Sequence, residues 1–141
     1  MTPTPAEAAL DRLDTVIREV GEDVQQQGPS WQFDIGEVPV LCVADPHSDR
    51  MRFMVPIVEV RHLPEGTLEV LLEANFMSAL DARYAISDNI VYAIFLRPLA
   101  TLGLDEARSG LHQCTELRRT FGTTFSSTDM DYGGNAPSGE H

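Results

Sequence analysis

The chain of 141 residues contains no lysine, so all ten of its basic residues are arginines, against 22 acidic residues. The formal net charge is −12, and the excess acid is spread along the whole chain. No stretch forms the basic stripe that binds a phosphate backbone, so nucleic-acid binding is not expected. An anionic membrane surface would repel the chain as well.

Long hydrophobic runs are also missing, so no transmembrane helix is predicted. The residues from Met1 to Glu7 lack the charged and then apolar pattern of a secretory signal. The only two cysteines, Cys42 and Cys114, are too few for a disulfide framework, and free thiols in a reducing compartment are expected. Together these absences predict an acidic cytoplasmic protein.

Recognisable catalytic motifs are absent too. The sequence has no Gly-rich phosphate loop, no Gly-x-Ser-x-Gly turn and no cluster with metal-ligand spacing, so we expect no cofactor, no metal and no catalysis. One alternative stays open: the protein could be a small-ligand-binding protein or an enzyme. Its site would then be formed by the loop with Asp45, His47 and Asp49, together with Asp81 and Arg83. The ordinary interpretation of these residues is a polar turn and a surface ion pair.

Apolar periodicity predicts an α+β fold in the order α-β-β-β-α-β-β-α, with a largely antiparallel sheet. The first helix should begin at a capping box, Thr4-Pro5-Ala6-Glu7, and run over 4–26. The other elements are predicted at 31–35, 38–44, 51–58, 64–79, 82–86, 90–96 and 104–121. Residues 1–126 form a single domain in this interpretation, and 127–141 form a disordered tail.

The second predicted helix is apolar on two sides, and in a small protein one sheet can cover only one of them. We expect the sheet to cover the side that carries Leu68, Leu72 and Phe76. The opposite side should meet a second subunit, which predicts a homodimer with an interface formed by Val70, Ala74 and Met77. Asn75 lies within the apolar arc, and its amide is expected to hydrogen-bond to backbone near the helix end.

The third predicted strand offers a candidate partner-binding row. Phe53, Val55 and Ile57 alternate along it and could hold an apolar segment of another protein, although plain core packing explains the same pattern. Pro56 cannot donate a ladder hydrogen bond, so this strand should be an edge strand or carry a bulge.

The segment Leu68-Glu69-Val70-Leu71-Leu72-Glu73-Ala74-Asn75-Phe76 resembles the Leu-Leu-x-x-Asn helix of the type III secretion chaperone-like superfamily. That superfamily contains the class I (Tir-type) chaperones and the YbjN family of sensory-transduction regulators. The resemblance extends over most of residues 5–125, through Arg50-Met51-Arg52-Phe53, Ala82-Arg83-Tyr84-Ala85-Ile86 and Pro98-Leu99. It implies the same α+β order, a dimer and a protein client or regulatory partner.

The expected function is therefore a non-catalytic, dimeric protein-binding module, either chaperone-like or regulatory. It would hold an apolar segment of an unidentified partner protein. The acidic surface would keep such a dimer soluble while apolar patches stay exposed.

Overall fold

Residues 2–127 are described by a computed structural model as one antiparallel sheet with three α-helices. The strand order is β1-β2-β3-β4-β6-β5, so the α+β class is confirmed. The elements are α1 (Pro5–Val20), β1 (Glu22–Gln27), β2 (Ser30–Ile35), β3 (Val38–Asp45), β4 (Arg50–Glu59), a 3-10 turn (Val60–His62), α2 (Thr67–Met77), β5 (Arg83–Ser87), β6 (Ile90–Arg97) and α3 (Leu104–Arg119). None of the described helices is long and apolar enough to cross a bilayer.

The first helix begins as predicted but ends earlier. Thr4 and Glu7 form the capping box, with the Glu7 N–H donating to Thr4 Oγ1 at 3.1 Å and the Thr4 N–H donating to Glu7 Oε1 at 2.9 Å. The prediction of helix beyond Val20 is wrong, because Gly21 adopts an extended conformation. A Cβ on Gly21 would lie 2.7 Å from the Phe33 ring, so only glycine fits where the chain leaves the helix.

The residues that follow Gly21 form β1, an additional strand absent from the predicted order. Val24, expected on the apolar side of the helix, instead belongs to this strand. β1 pairs with β2 alone, from Glu22 opposite Asp34 to Gln27 opposite Ser30, with an irregularity between Glu22 and Gln25. The strand therefore extends the sheet by one position and forms one of its two edges.

The hydrophobic core lies between one face of the sheet and the layer of α1 and α3. Phe53 and Phe95 are register partners at its centre, and their rings stack with centroids 5.8 Å apart. The largest fully buried side chains around them include Phe33, Leu13, Ile17, Met51, Leu117 and Val55. We call this side of the sheet the front face and the opposite side the back face.

Pro56 marks a bulge in a central strand. The register shifts between Pro56 and Val58, where β4 pairs with β6. The freed carbonyl of Pro56 accepts a hydrogen bond from Arg118 of α3. The bulge prediction is therefore confirmed, whereas the alternative of an edge strand is wrong because β3 and β6 flank β4 on both sides.

The C-terminal end of the described chain packs under the end of α2. The Ser127 hydroxyl accepts a hydrogen bond from the Leu80 N–H at 2.7 Å, and the Ser78 hydroxyl donates to the Phe125 carbonyl at 2.5 Å. Ser127 is fully buried, so the packed part of the described chain includes the first residue of the predicted tail. The rest of the predicted tail, 128–141, lies outside the described residues.

Truncation tests the role of this segment. A chain that ends after Ser127 should melt within about 2 °C of the full chain, since the packed residues are retained. A chain that ends after Thr123 loses the aromatic contacts of Phe125 with Tyr84 and Phe121, and should melt at least about 5 °C lower. Thermal unfolding followed by circular dichroism measures both, and equal melting temperatures would contradict a packed C-terminus.

Candidate functional site

Helix α2 lies beside the edge of the sheet, held by the side chain of Asn75. The Asn75 amide donates from Nδ2 to the Tyr84 carbonyl at 3.1 Å, and its Oδ1 accepts from the Tyr84 N–H at 2.8 Å. These two bonds satisfy the outer edge of β5 as a neighbouring strand would. Arg83 adds a bond from Nη1 to the Asn75 carbonyl at 2.8 Å, a favourable cation at a helix C-terminal end.

This placement leaves one side of α2 uncovered. Leu71 and Ala74 are buried, whereas Leu68, Leu72 and Phe76 are 43%, 71% and 85% exposed. We call these three exposed residues the α2 stripe. Large apolar side chains at such exposure are typical of interaction surfaces in soluble proteins.

The α2 stripe lies on the side of the helix that faces away from the core. At 100° per residue, Asn75 falls between the buried side of the helix and the stripe. The buried side meets the front layer, where Ser78 bonds to Phe125, and Asn75 meets the edge of β5. The stripe, on the far side of Asn75 from the buried side, therefore points away from the front layer.

The predicted dimer interface is only partly at the surface. Ala74 is fully buried within the chain, Val70 is half-buried, and Met77 is 43% exposed. The expected assignment of the two sides of α2 is therefore corrected: the side with Ala74 is covered and the side with Leu72 is open. The helix lies beside the sheet and does not pack flat on a sheet face. Its inner side is covered in part by the C-terminal segment.

The back face of the sheet carries a second apolar area. Leu41, Met54 and Ile94 are register neighbours on β3, β4 and β6, and all three are half-buried. The adjacent row consists of Val43, Arg52 and Leu96, of which Val43 is 43% and Leu96 is 44% exposed. These side chains reach the surface because α1 and α3 lie on the front face.

The predicted partner-binding row is mainly a core row. Phe53 and Val55 are fully buried on the front face, and Ile57, next to the bulge, is half-buried. A partner could contact Phe53 or Val55 only if α3 moved away, since α3 packs against β4. The structure thus corrects this row in favour of the core-packing alternative, and the apolar surface available to a partner is elsewhere.

The two edges of the sheet differ. At β5 the outward backbone groups of Tyr84 bond to Asn75, so this edge is blocked at its centre. At β1 the run from Gln25 to Gln27 pairs with β2 on one side, and its residues are exposed. Such an open edge can accept an additional strand from another chain.

The loop after β3 is a turn held by its own aspartates. Asp45 accepts hydrogen bonds from Ser48 and from the His47 N–H, and these bonds hold the pKa of its carboxyl below its usual value. Asp49 accepts from the Ala100 N–H at 2.8 Å. Among residues 2–127 no group of three His, Cys, Asp or Glu side chains could hold a metal ion.

Asp81 and Arg83 do not pair with each other in the way expected. Asp81 forms an ion pair with Arg97 at 3.0 Å, while Arg83 donates to the carbonyls of Leu80 and Asn75. Both side chains thus serve internal contacts. Nothing in this arrangement favours the ligand-binding alternative over a structural role.

Solved structures of other proteins share this arrangement of strands and helices. No family model matches the chain, and no curated protein matches it. A chain in the solved ExsC–ExsE complex superposes with a TM-score of 0.61 at 15% identity, covering 81% of this chain and 93% of that one. A chain in the HopA1–SchA chaperone–effector complex superposes with a TM-score of 0.64 at 12% identity, covering 86% and 98%.

The protein has a type III secretion chaperone-like fold. This confirms the fold that the Leu-Leu-x-x-Asn resemblance implied. At 12% and 15% identity the likeness shows the fold alone. The resemblance to the YbjN family stays a prediction.

The two thiols of this secretion-chaperone-like domain provide a test of its core. Cys42 and Cys114 are both fully buried, and burial raises the pKa of each thiol. Because the thiolate is the reactive form, we expect neither cysteine to react with Ellman's reagent at pH 8 in the native protein. Both should react once the protein is unfolded in guanidinium. Rapid labelling of the native protein would contradict the described packing.

Proposed function

We propose that the protein is a non-catalytic, dimeric, chaperone-like module that binds a segment of a partner protein. The open edge of the sheet at β1 supports the binding of a partner segment, and the observation that carries the dimer is the uncovered apolar surface of the α2 stripe. On this surface Leu72 is 71% and Phe76 is 85% exposed. In a chain with a net charge of −12, repulsion between acidic surfaces would keep the protein soluble despite such patches.

The kind of partner is suggested by the structural neighbours. One of them is described as a chaperone–effector complex, and the other is a complex of ExsC with ExsE. By analogy, we infer that this protein holds a protein client in the cytoplasm. A YbjN-like regulatory partner is the second form of the same proposal, and it uses the same surfaces.

The α2 stripe is the part of the surface that we assign to the dimer. Leu68, Leu72 and Phe76 form a straight apolar row at the spacing of a packed helix face. Burying three large apolar side chains is worth roughly 1.5–3 kcal/mol each, enough to make a second subunit a substantial source of stability. The client then needs a different surface, and the open edge at β1 provides one by addition of a strand.

The dimer is tested by changing the α2 stripe. The double variant Leu72→Glu, Phe76→Glu should be monomeric, because each carboxylate would have to be buried without a partner at the interface. Its melting temperature at low concentration should stay close to that of dissociated wild type, since both positions are exposed in one chain. Sedimentation equilibrium should give twice 15.6 kDa for wild type and the single mass for the variant.

A matched control is Val20→Glu, which places the same charge on a partly exposed apolar residue of α1, far along the chain from α2. This variant should remain dimeric. A wild-type protein that is monomeric at micromolar concentration would disprove the dimer, and a dimeric double variant would disprove the assignment of the α2 stripe.

Client binding at β1 is tested by proline substitution. Neighbouring residues of a strand direct their N–H groups alternately to the two sides, so only one of Gln25→Pro and Gln26→Pro removes a bond to β2. That variant should lose stability, whereas the other should fold normally and fail to capture the client. Affinity capture from the source cells, with melting temperatures measured in parallel, gives both readouts. Equal capture by the stable variant and wild type would exclude strand addition at this edge.

A further inference from the structure

The last described residues form a strap that connects the end of α3 to the end of α2. We call residues 120–127 the C-terminal strap. Its Ser127 hydroxyl accepts from the Leu80 N–H at 2.7 Å, and the Ser127 N–H donates to the Ser78 carbonyl at 3.4 Å. The Ser78 hydroxyl in turn donates to the Phe125 carbonyl at 2.5 Å. The strap therefore fastens the chain at the point where it leaves α2.

An aromatic side chain anchors the strap. Phe125 packs edge-on against Tyr84 at a centroid distance of 6.1 Å and against Phe121 at 5.5 Å. Tyr84 lies on β5, and Phe121 follows α3. The strap thus fills a groove between β5, the end of α2 and the end of α3, with one ring as its apolar contact.

The backbone of the strap is strained at this anchor. Phe125 has a φ of +51°, in the left-handed region that bulky side chains rarely adopt. Release of the strap would let Phe125 return to an ordinary backbone conformation. The strap is therefore held less tightly than its contacts alone would allow. A segment that makes the same contacts without the strain could displace it.

The position of α2 depends on the strap. Among the helices and strands, α2 packs mainly against β5, where Asn75 bonds to the backbone of Tyr84. The strap supplies a separate attachment at Ser78 and Leu80. Loss of the strap would therefore loosen the end of α2 and uncover the ring of Tyr84.

The chain beyond Leu80 is fixed independently of the strap. The buried side chain of Gln113 on α3 accepts from the N–H groups of Asp81 and Ala82 at 2.8 and 2.9 Å. These bonds would remain when the strap leaves. Movement would then be confined to α2, while β5 keeps its place in the sheet.

We infer that the C-terminal strap is an autoinhibitory contact, which occupies a groove beside Tyr84 that fits an aromatic residue of the partner segment. The inference rests on the proposed function for the partner, and it adds a site distinct from the α2 stripe and the edge of β1. The fitting segment has an aromatic residue followed by small hydroxyl residues, like Phe125, Ser126 and Ser127 of the strap. Tethering gives the strap a high effective concentration, so it fills the groove until such a segment competes.

Amide hydrogen exchange of full-length variants tests the strap. Phe125→Ser removes the anchoring ring, so the amides of α2 should exchange at least about tenfold faster while those of β4 and β6 keep their wild-type rates. A synthetic peptide with the sequence of residues 122–127, at millimolar concentration, should restore the protection of α2 in this variant. The same peptide with serine in place of phenylalanine should not. Neither peptide should change wild type, because the tethered strap outcompetes both.

A milder variant and a matched control complete the experiment. Ser127→Ala removes only the acceptor for the Leu80 N–H and should also speed exchange in α2. Thr115→Ala removes a hydroxyl that bonds within α3 and should leave α2 unchanged. Equal acceleration of α2, β4 and β6 in Phe125→Ser would overturn the inference, and so would a phenylalanine-containing peptide that restores no protection. Either result would leave the proposed dimer and strand addition standing, since those are tested by variants of α2 and β1.

Discussion

Two hydrogen bonds between the Asn75 amide and the backbone of Tyr84 determine how α2 is placed. Removing the amide would leave a backbone N–H and carbonyl at the edge of β5 without these partners, at a cost of about 1–3 kcal/mol if they stay shielded from water. Because the bonds fix α2 beside the sheet, its inner side meets the C-terminal segment. Its outer side, with Leu72 and Phe76, has nothing to cover it.

The same contact makes the two edges of the sheet different. The α2 helix occupies the outer edge of β5, so the sheet can be extended freely only at β1. That edge exists because Gly21 ends α1 and directs the chain back along β2. Gly21 and Asn75 therefore place the two proposed surfaces at opposite edges of the sheet. The surface that we assign to a second subunit lies on α2 beside β5, and the edge that we assign to a client is β1.

The distribution of charged side chains affects which contacts the molecule can form. Most arginines of the chain are used internally: Arg12 and Arg118 bond to backbone carbonyls, and Arg97 and Arg108 form ion pairs with carboxylates. The acidic excess then covers most of the exterior and disfavours non-specific association between copies.

Much of the fold could be predicted from the sequence because its signals are local. The capping box of Thr4 and Glu7, the alternation along β2 and β4, the turn before Ile90 and the apolar row of α3 each depend on residues close in the chain. The bulge at Pro56 was predictable as one of two alternatives, since proline lacks the N–H of a regular strand. Periodicity alone could not show that β1 replaces the last turns of α1, because Val24 also fits the helical spacing.

The functional surface depended on tertiary structure. In the sequence both sides of α2 are apolar, and nothing local indicates which side is covered. The contact of Asn75 with Tyr84 and the packing of the segment around Phe125 decide this. As a result Ala74 is buried and Phe76 is exposed. In the same way, alternation placed Phe53 and Val55 on one face of a strand, but the packing of α3 decided that this face is the core. Sequence determines which residues share a face, because that follows from the local geometry of helix and strand. Which face meets water is decided by elements that are distant in the chain.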